Sequence, residues 1–505
     1  MTAKARLSRI VVAGGGTAGW MTAAALGKLA GQVSITLVES DEIGTVGVGE
    51  ATIPAIRDFN QALGLDEAEF VAATGATYKL GIGFEGWGAP GDAYVHAFGT
   101  VGRGIGILPF HHAWLRGRDL GLAKPLGHYL LNVIAIAGNR FAHFQPPADS
   151  VFPAMPYAFH FDAGLYARYL RGKAEAWGVV RKEGMIDGVE RSDDGDIAAL
   201  RLSDGTRIEG DLFIDCSGFR ALLIEQELES GFEDWTEWLR CDRALAVPCA
   251  SVDPLVPYTR SIARKAGWQW RIPLQHRIGN GHVFCSDAIS EDEATAILMA
   301  NLDGEPLAQP RALRFTTGKR RECWKRNVIA IGLSSGFIEP LESTSIHLIQ
   351  TAITRLLDLL PSQSISQAER DEYNARTDFE MRSIRDFIIL HYHANQRVGE
   401  PFWDGVRAMR VPDTLQHKID LFRQSGRLMP DVNELFDARG WVQVLLGQNV
   451  VPESWHPAAD AIAPERLADF LGKVERACVE AASRMGEHQE FIRQFAPVRI
   501  PEPTS

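Results

Sequence analysis

The chain has 505 residues, 46% hydrophobic and 23% charged, which is the profile of a soluble globular protein. Its net charge of −12 excludes a general nucleic-acid binder, because phosphate contacts need clustered lysine and arginine. No run approaches the roughly 18 apolar residues of a membrane span, and the basic start "MTAKARLSRIVVAGGG" breaks at glycines too early for a signal-peptide core.

In chain order, "SRIVVAGGGTAGWMTAAALGKLA" (Ser8 to Ala30) predicts a strand, a glycine turn and a helix. Gly14, Gly16 and Gly19 supply G-x-G-x-x-G: the first for the tight turn, the second for close approach of a pyrophosphate, the third for packing of helix on strand. The free N–H groups at the helix start suit an anion. A second strand, "VSITLVES", ends in Glu39, whose carboxylate suits a ribose 2′-hydroxyl. Further on, "ATYKLGIGF" (Ala76 to Phe84) sets Lys79 among apolar and small residues, with Gly81 and Gly83 predicting an irregular strand or a close backbone approach. His96 and Phe98 stand two apart on a predicted strand and so point the same way, as do Trp268 and Trp270.

Two later stretches, "GDLFIDCSGFRALLI" and "NVIAIGLSSGFIEPLESTS", each read as a strand running into a Gly/Ser turn. A chain that returns to its cofactor from so far along predicts a large FAD domain, not a compact nicotinamide one. No second G-x-G-x-x-G opens a helix after a strand to take NAD(P)H, so a flavin would be reduced elsewhere and delivered, or reduced by a substrate. "STSIHLIQTAITRLLDLL" predicts a helix with Ile346, Ile349, Ile353, Leu356 and Leu360 on one face, Ser343 or Thr344 as N-cap, and an anion site at the N–H groups of Thr344 and Ser345. "LLPSQSISQ" marks a boundary, after which amphipathic helices dominate. His391 and His393 lie two apart without a third ligand and read as structural. The six cysteines form no C-x-x-C and no metal-ligand spacing, so reduced thiols of a cytoplasmic protein, without a metal, are expected. The fold class expected is α/β: a Rossmann-like FAD-binding domain of the flavin monooxygenase type over residues 1–360, with a mainly helical substrate-side module over 361–505.

Five ordered segments, "GGGTAGWMTAA", "GVGEATIP", "ATYKLGIGFEGW", "GWQWRIP" and "GFIEPLESTSIHL", resemble the flavin-dependent tryptophan halogenase family. The resemblance implies FAD, used as FADH₂ and held through Gly14, Gly16, Thr17, Ala18, Gly19, Glu39, Gly49, Glu50, Ala51 and Leu333. It also implies a separate flavin reductase as partner and a halide ion, chloride or bromide, oxidised to hypohalous acid. The acid would travel to Lys79, the essential lysine. Glu342 is the expected partner of Lys79 and acceptor of the ring proton, with Ser343 linking the two. Halide would sit at Thr344 and Ser345, where a familiar form of the family has glycine at the second position. Trp268 and Trp270 would block the path from substrate to flavin, and His96, Phe98 and Trp455 would face the substrate. The region Leu435 to Pro457 lacks the tyrosine pair that holds amino-acid charges in the tryptophan-specific enzymes, which favours indole or another small uncharged aromatic over free L-tryptophan. A homodimer is implied by resemblance alone. The rival readings are a flavin monooxygenase hydroxylating an aromatic and a non-catalytic FAD-fold binding protein.

Overall fold

The β-branched run Ile10 to Val12 is buried in the middle of a six-stranded sheet, in a computed structural model that describes residues 7–31, 33–43, 49–144, 155–362 and 364–498. The strand order is Trp324–Lys325, Val328–Ala330, Leu212–Asp215, Arg9–Ala13, Ser34–Glu39, Val180–Glu183. All pairs are parallel except the edge pair of Trp324–Lys325 with Val328–Ala330. Val12 is in register with Ile214 on one side and Leu37 on the other. Parallel strands covered on both faces need continuous apolar runs, which is why these segments are legible as strands. The helix Thr17–Leu29 follows the glycine turn and packs on this sheet. The two late stretches supply neighbouring parallel strands, so the α/β, Rossmann-like arrangement expected from sequence is present.

A seven-stranded sheet runs in the order Arg311–Arg314, Arg243–Cys249, Ile278–Phe284, Gly267–Pro273, Thr259–Arg264, Gly81–Glu85, Ala93–Ala97. It carries the two tryptophans and His96. A third, small antiparallel sheet sets Gly49–Ala51 and Thr77–Lys79 on either side of Ala158–Asp162. Thus Lys79 and the expected second flavin segment share one sheet. Gly47 and Val48 of that segment lie outside the described residues.

After residue 360 the chain is mainly helical. Ser366 and Glu369 form a reciprocal capping box that starts the helix Gln367–His393. Its C-terminal stretch, Ile384 to Tyr392, is buried at every residue, which is how His391 and Tyr392 reach the interior. One hydrophobic cluster joins the parallel sheet to Leu467, Leu471 and Ile492, and another joins Ile82 and Trp268 to Ile384–Leu390 and Trp441. Among the described residues no helix is long and apolar enough to cross a membrane. All six cysteines are buried and free of disulfides.

Candidate active site

Lys79 ends its strand fully buried, at 0% exposure. Its Nζ donates to the Thr52 carbonyl at 2.9 Å and to Ser343 Oγ at 2.7 Å, and lies 5.3 Å from the ring centre of Phe98. Burial pulls its pKa down to about 7, against an opposing pull from the charge of Glu342. No carboxylate bonds it directly, so burial prevails and leaves this ammonium easy to deprotonate. The bend after Lys79 depends on Gly81, where a Cβ would stand 2.7 Å from the His96 carbonyl oxygen and 2.8 Å from Ala97 Cα. The close backbone approach expected there is therefore real, and it brings Phe98 to the lysine, while His96 reaches Glu342.

Glu342 does not pair with Lys79, contrary to the sequence-based expectation. Its carboxylate, 2% exposed, is held by His96 Nδ1 at 2.8 and 2.9 Å and by His391 Nε2 at 2.8 Å. Burial alone would raise its pKa, but the charge and hydrogen bonds of His96 and His391 outweigh it and pull the pKa to about 2. His391 Nδ1 faces the Phe387 carbonyl at 2.8 Å, which can only accept, so Nδ1 carries a proton. A further proton must therefore lie between His391 Nε2 and Glu342 Oε1. The imidazole of His96 is committed to this acid, while its ring packs near Phe387 and Phe436. Ser343 is the true link: it follows Glu342 and takes the lysine's hydrogen bond. It does so from a left-handed conformation, φ +61°, which costs a non-glycine residue about 1 kcal/mol or more.

The helix Ser345–Asp358 opens immediately afterwards. Thr344 occupies the N-cap position, but its hydroxyl makes no cap bond and is buried without a partner. The expected N-cap is thus met in position by Thr344, but no side-chain cap bond forms, and Ser343 is spent on Lys79. What remains is a first turn of unbonded N–H groups beside an unpartnered buried hydroxyl, a donor set that fits a small anion.

The glycine turn fits a dinucleotide phosphate. Gly14 has φ +115°, and a Cβ there would lie 2.3 Å from the Cys216 carbonyl oxygen. A Cβ on Gly19 would lie 1.8 Å from the Gly14 carbonyl oxygen, whereas one on Gly16 would meet nothing within 4 Å. The first and third glycines answer to the protein and the second faces open space, beside the helix start at Thr17. Ala18 abuts Gly332, whose one-turn helix Gly332–Ser334 carries the exposed Leu333. Glu39 Oε1 accepts from Arg181 Nε at 2.6 Å, so a ribose hydroxyl would share this carboxylate with an arginine that sequence reasoning did not single out. Gly49 and Ala51 are buried; the half-buried Glu50 between them has its carboxyl pushed by burial up to about 7.

Trp268 is buried and Trp270 half-buried, with ring centres 6.1 Å apart on the strand Gly267–Pro273. Ile272 of the same strand lies against Gly49. Trp268 Nε1 donates to Glu339 Oε2 at 2.8 Å. Trp455 is half-buried and gives its indole N–H to Asp460; it makes no hydrogen bond to the cluster around Lys79 among the described residues. The sequence reading missed His391, taken there as structural, and also Glu339 and Tyr392. The available signal was their position at the buried end of a long amphipathic helix, or in the turn just before Glu342.

The tryptophan halogenase family profile matches residues 9–464. The flavin-dependent halogenase of Xanthomonas campestris is 51% identical, with a TM-score of 0.95 over 98% of this chain and 100% of that one. The flavin-dependent halogenase BrvH of Brevundimonas sp. BAL3 is 45% identical, with a TM-score of 0.94 over 97% and 100%. The tryptophan 7-halogenase RebH of Lentzea aerocolonigenes is 32% identical over 97% of this chain and 99% of its own.

Proposed function

Since the chain belongs to the tryptophan halogenase family and is a flavin-dependent halogenase, we propose that it halogenates an uncharged, electron-rich aromatic of the indole type. Lys79 presents the electrophilic halogen and Glu342 takes the ring proton. The carrying observation is a fully buried lysine bonded only to neutral acceptors, one residue removed from an ionised and equally buried acid.

Bound reduced FAD, with O₂, would supply the oxidising power that converts halide to hypohalous acid, delivered by a separate reductase. Gly16, Thr17 and Ala18 would cradle its phosphates, with Gly49, Glu50, Ala51 and Leu333 along the ring system. The N–H groups of Thr344 and Ser345 would hold halide. Near neutral pH, Lys79 is available both as an ammonium that hydrogen-bonds hypohalous acid and as an amine that accepts the halogen. Glu342 is a weak base, but the ring intermediate of aromatic substitution is a strong acid, so a weak base suffices. Two histidines keep that base ionised in a dry setting. Trp268 and Trp270 would keep the substrate from the cofactor, which favours halogenation over direct oxygenation.

The stretch Leu435–Pro457 supports an uncharged substrate. Gln443 is spent on the backbone of Ala97, Arg439 pairs with Asp437, and Glu453 is exposed. None of these is free in the interior to hold an ammonium or a carboxylate. The test is turnover with FAD, a flavin reductase, NADH and either bromide or chloride, comparing indole with L-tryptophan by mass spectrometry. Halogen gained on indole at the higher kcat/KM supports the reading. Preference for L-tryptophan sinks the substrate assignment, and a product gaining only oxygen sinks the halogenation mechanism.

A further inference from the structure

Glu339 is fully buried three residues before Glu342, in the segment that joins the Gly332–Ser334 turn to the helix at Ser345. Both of its donors converge on one oxygen: Oε2 accepts from Trp268 Nε1 at 2.8 Å and from the Tyr392 hydroxyl at 2.6 Å, while Oε1 has no partner. The two donors favour the charged form at one oxygen, while the other is buried with no hydrogen bond to offset the loss of water. The titratable groups around it are Tyr392 and, beyond its hydroxyl at 3.6 Å, the thiol of Cys241, with Cys285 and Asp242 behind. None supplies a positive charge. Burial accordingly pushes the Glu339 carboxyl up to about 7. Glu342, one turn on, is held by His391, and Glu339 by the next residue, Tyr392. Two carboxyls in one short segment are thus held by adjacent residues of one helix yet driven apart in pKa, burial raising one and the two histidines lowering the other.

We propose that Glu339 is a positioning residue that fixes the indole of Trp268 in the wall between the cofactor segment and the halogenation chamber. The proposal rests on the reading of Trp268 as a barrier. Trp268 has one polar atom, and Glu339 holds it; the remaining contacts of the ring, with Trp87 at 6.4 Å and Trp270 at 6.1 Å, are apolar and less directional. The strand bearing it abuts Gly49, so a turned indole would change the boundary of the cofactor segment.

The test compares full-length Glu339→Gln, which keeps the acceptor, with Glu339→Leu, which removes it, each with and without Trp268→Phe. The first readout needs no cofactor: the emission of Trp268, taken as the difference between each protein and its Trp268→Phe partner. In the wild type that difference should change across about pH 6 to 8, and in Glu339→Gln it should be flat. The second is coupling, as halogenated product per reduced flavin consumed. Glu339→Leu should lose about tenfold, Glu339→Gln should recover to within about threefold, and Trp268→Phe should add nothing to Glu339→Leu. Unchanged coupling in Glu339→Leu, or losses that simply add, overturns the proposal. A wild type that halogenates no indole defeats the functional reading instead, and leaves the emission difference to judge Glu339.

Discussion

The imidazole of His391 meets the carboxylate of Glu342 at 2.8 Å, and the lysine that simple charge pairing would assign to that acid is bonded instead to its neighbour, Ser343. The acid and the lysine are thereby kept close but unbonded. Direct pairing would hold Lys79 protonated and neutralise Glu342; separation leaves the amine near its titration point and the base ionised.

Replacing His391 with glutamine should leave Glu342 with one imidazole. Its pKa should rise from about 2 by about one or two units, and the acidic limb of the rate profile should move up with it. Stability follows the same sign. A depressed carboxylate contributes above its unfolded pKa and loses that contribution, about 3 kcal/mol, as pH falls from about 4.5 towards 2. Acid denaturation of the wild type should therefore depend on this window, and His391→Gln should narrow it. An unmoved acidic limb refutes the ionic role of His391.

Ser343 combines a strained backbone with a needed hydroxyl, and two substitutions separate them. Ser343→Gly should relieve the strain, stabilising by up to about 1 kcal/mol, yet lose the bond to Lys79. Ser343→Ala loses the bond without the relief. Both should cut halogenation about tenfold or more, and the alanine variant should lower the melting temperature by more than the glycine variant, which recovers the strain. Thermal melts with matched product assays read both effects.

Lys79→Met should abolish halogenated product while cofactor binding survives. It should also change the stability profile. A lysine whose pKa is lowered to about 7 in the fold, from 10.5, penalises the folded state below pH 7. That penalty fades as pH rises towards about 10.5, and its full size is about 5 kcal/mol. Denaturation at about pH 6 and about pH 10 should show the wild type gaining on the methionine variant as pH rises. Parallel curves for the two proteins contradict the buried, shifted lysine.

Gln443 pairs both its amide groups with the backbone of Ala97, at 3.0 and 3.1 Å, between His96 and Phe98. Gln443→Leu leaves a buried N–H and carbonyl unpaired and should cost about 2 kcal/mol or more. Because both neighbours belong to the site, kcat should fall more than FAD affinity, measured by flavin fluorescence titration. An equal loss of both would mark the effect as global.

The cofactor turn and the helix at Ser345 were legible in the sequence because local rules govern them: glycine conformations, helix starts and apolar periodicity. The meeting of Lys79 with Ser343, 264 positions apart, was legible only through the family resemblance. The choice of acceptor was not. Whether a buried ammonium bonds a carboxylate or its neighbouring hydroxyl depends on the left-handed turn at Ser343, which no serine announces. His391 was misread because its role is set by which end of the helix Gln367–His393 is buried, and its spacing from His393 carries no such information.

That helix also acts as a ruler. His391 and Tyr392 are consecutive, so they diverge by about 100° and 1.5 Å of rise, the offset that lets one reach Glu342 and the other Glu339. Gaining or losing a single residue within its buried half would swing both anchors away at once and strand two acids together. Length variation among relatives should therefore collect before Ser366, in the connection from Leu359, and spare the stretch from Ile384 to Tyr392.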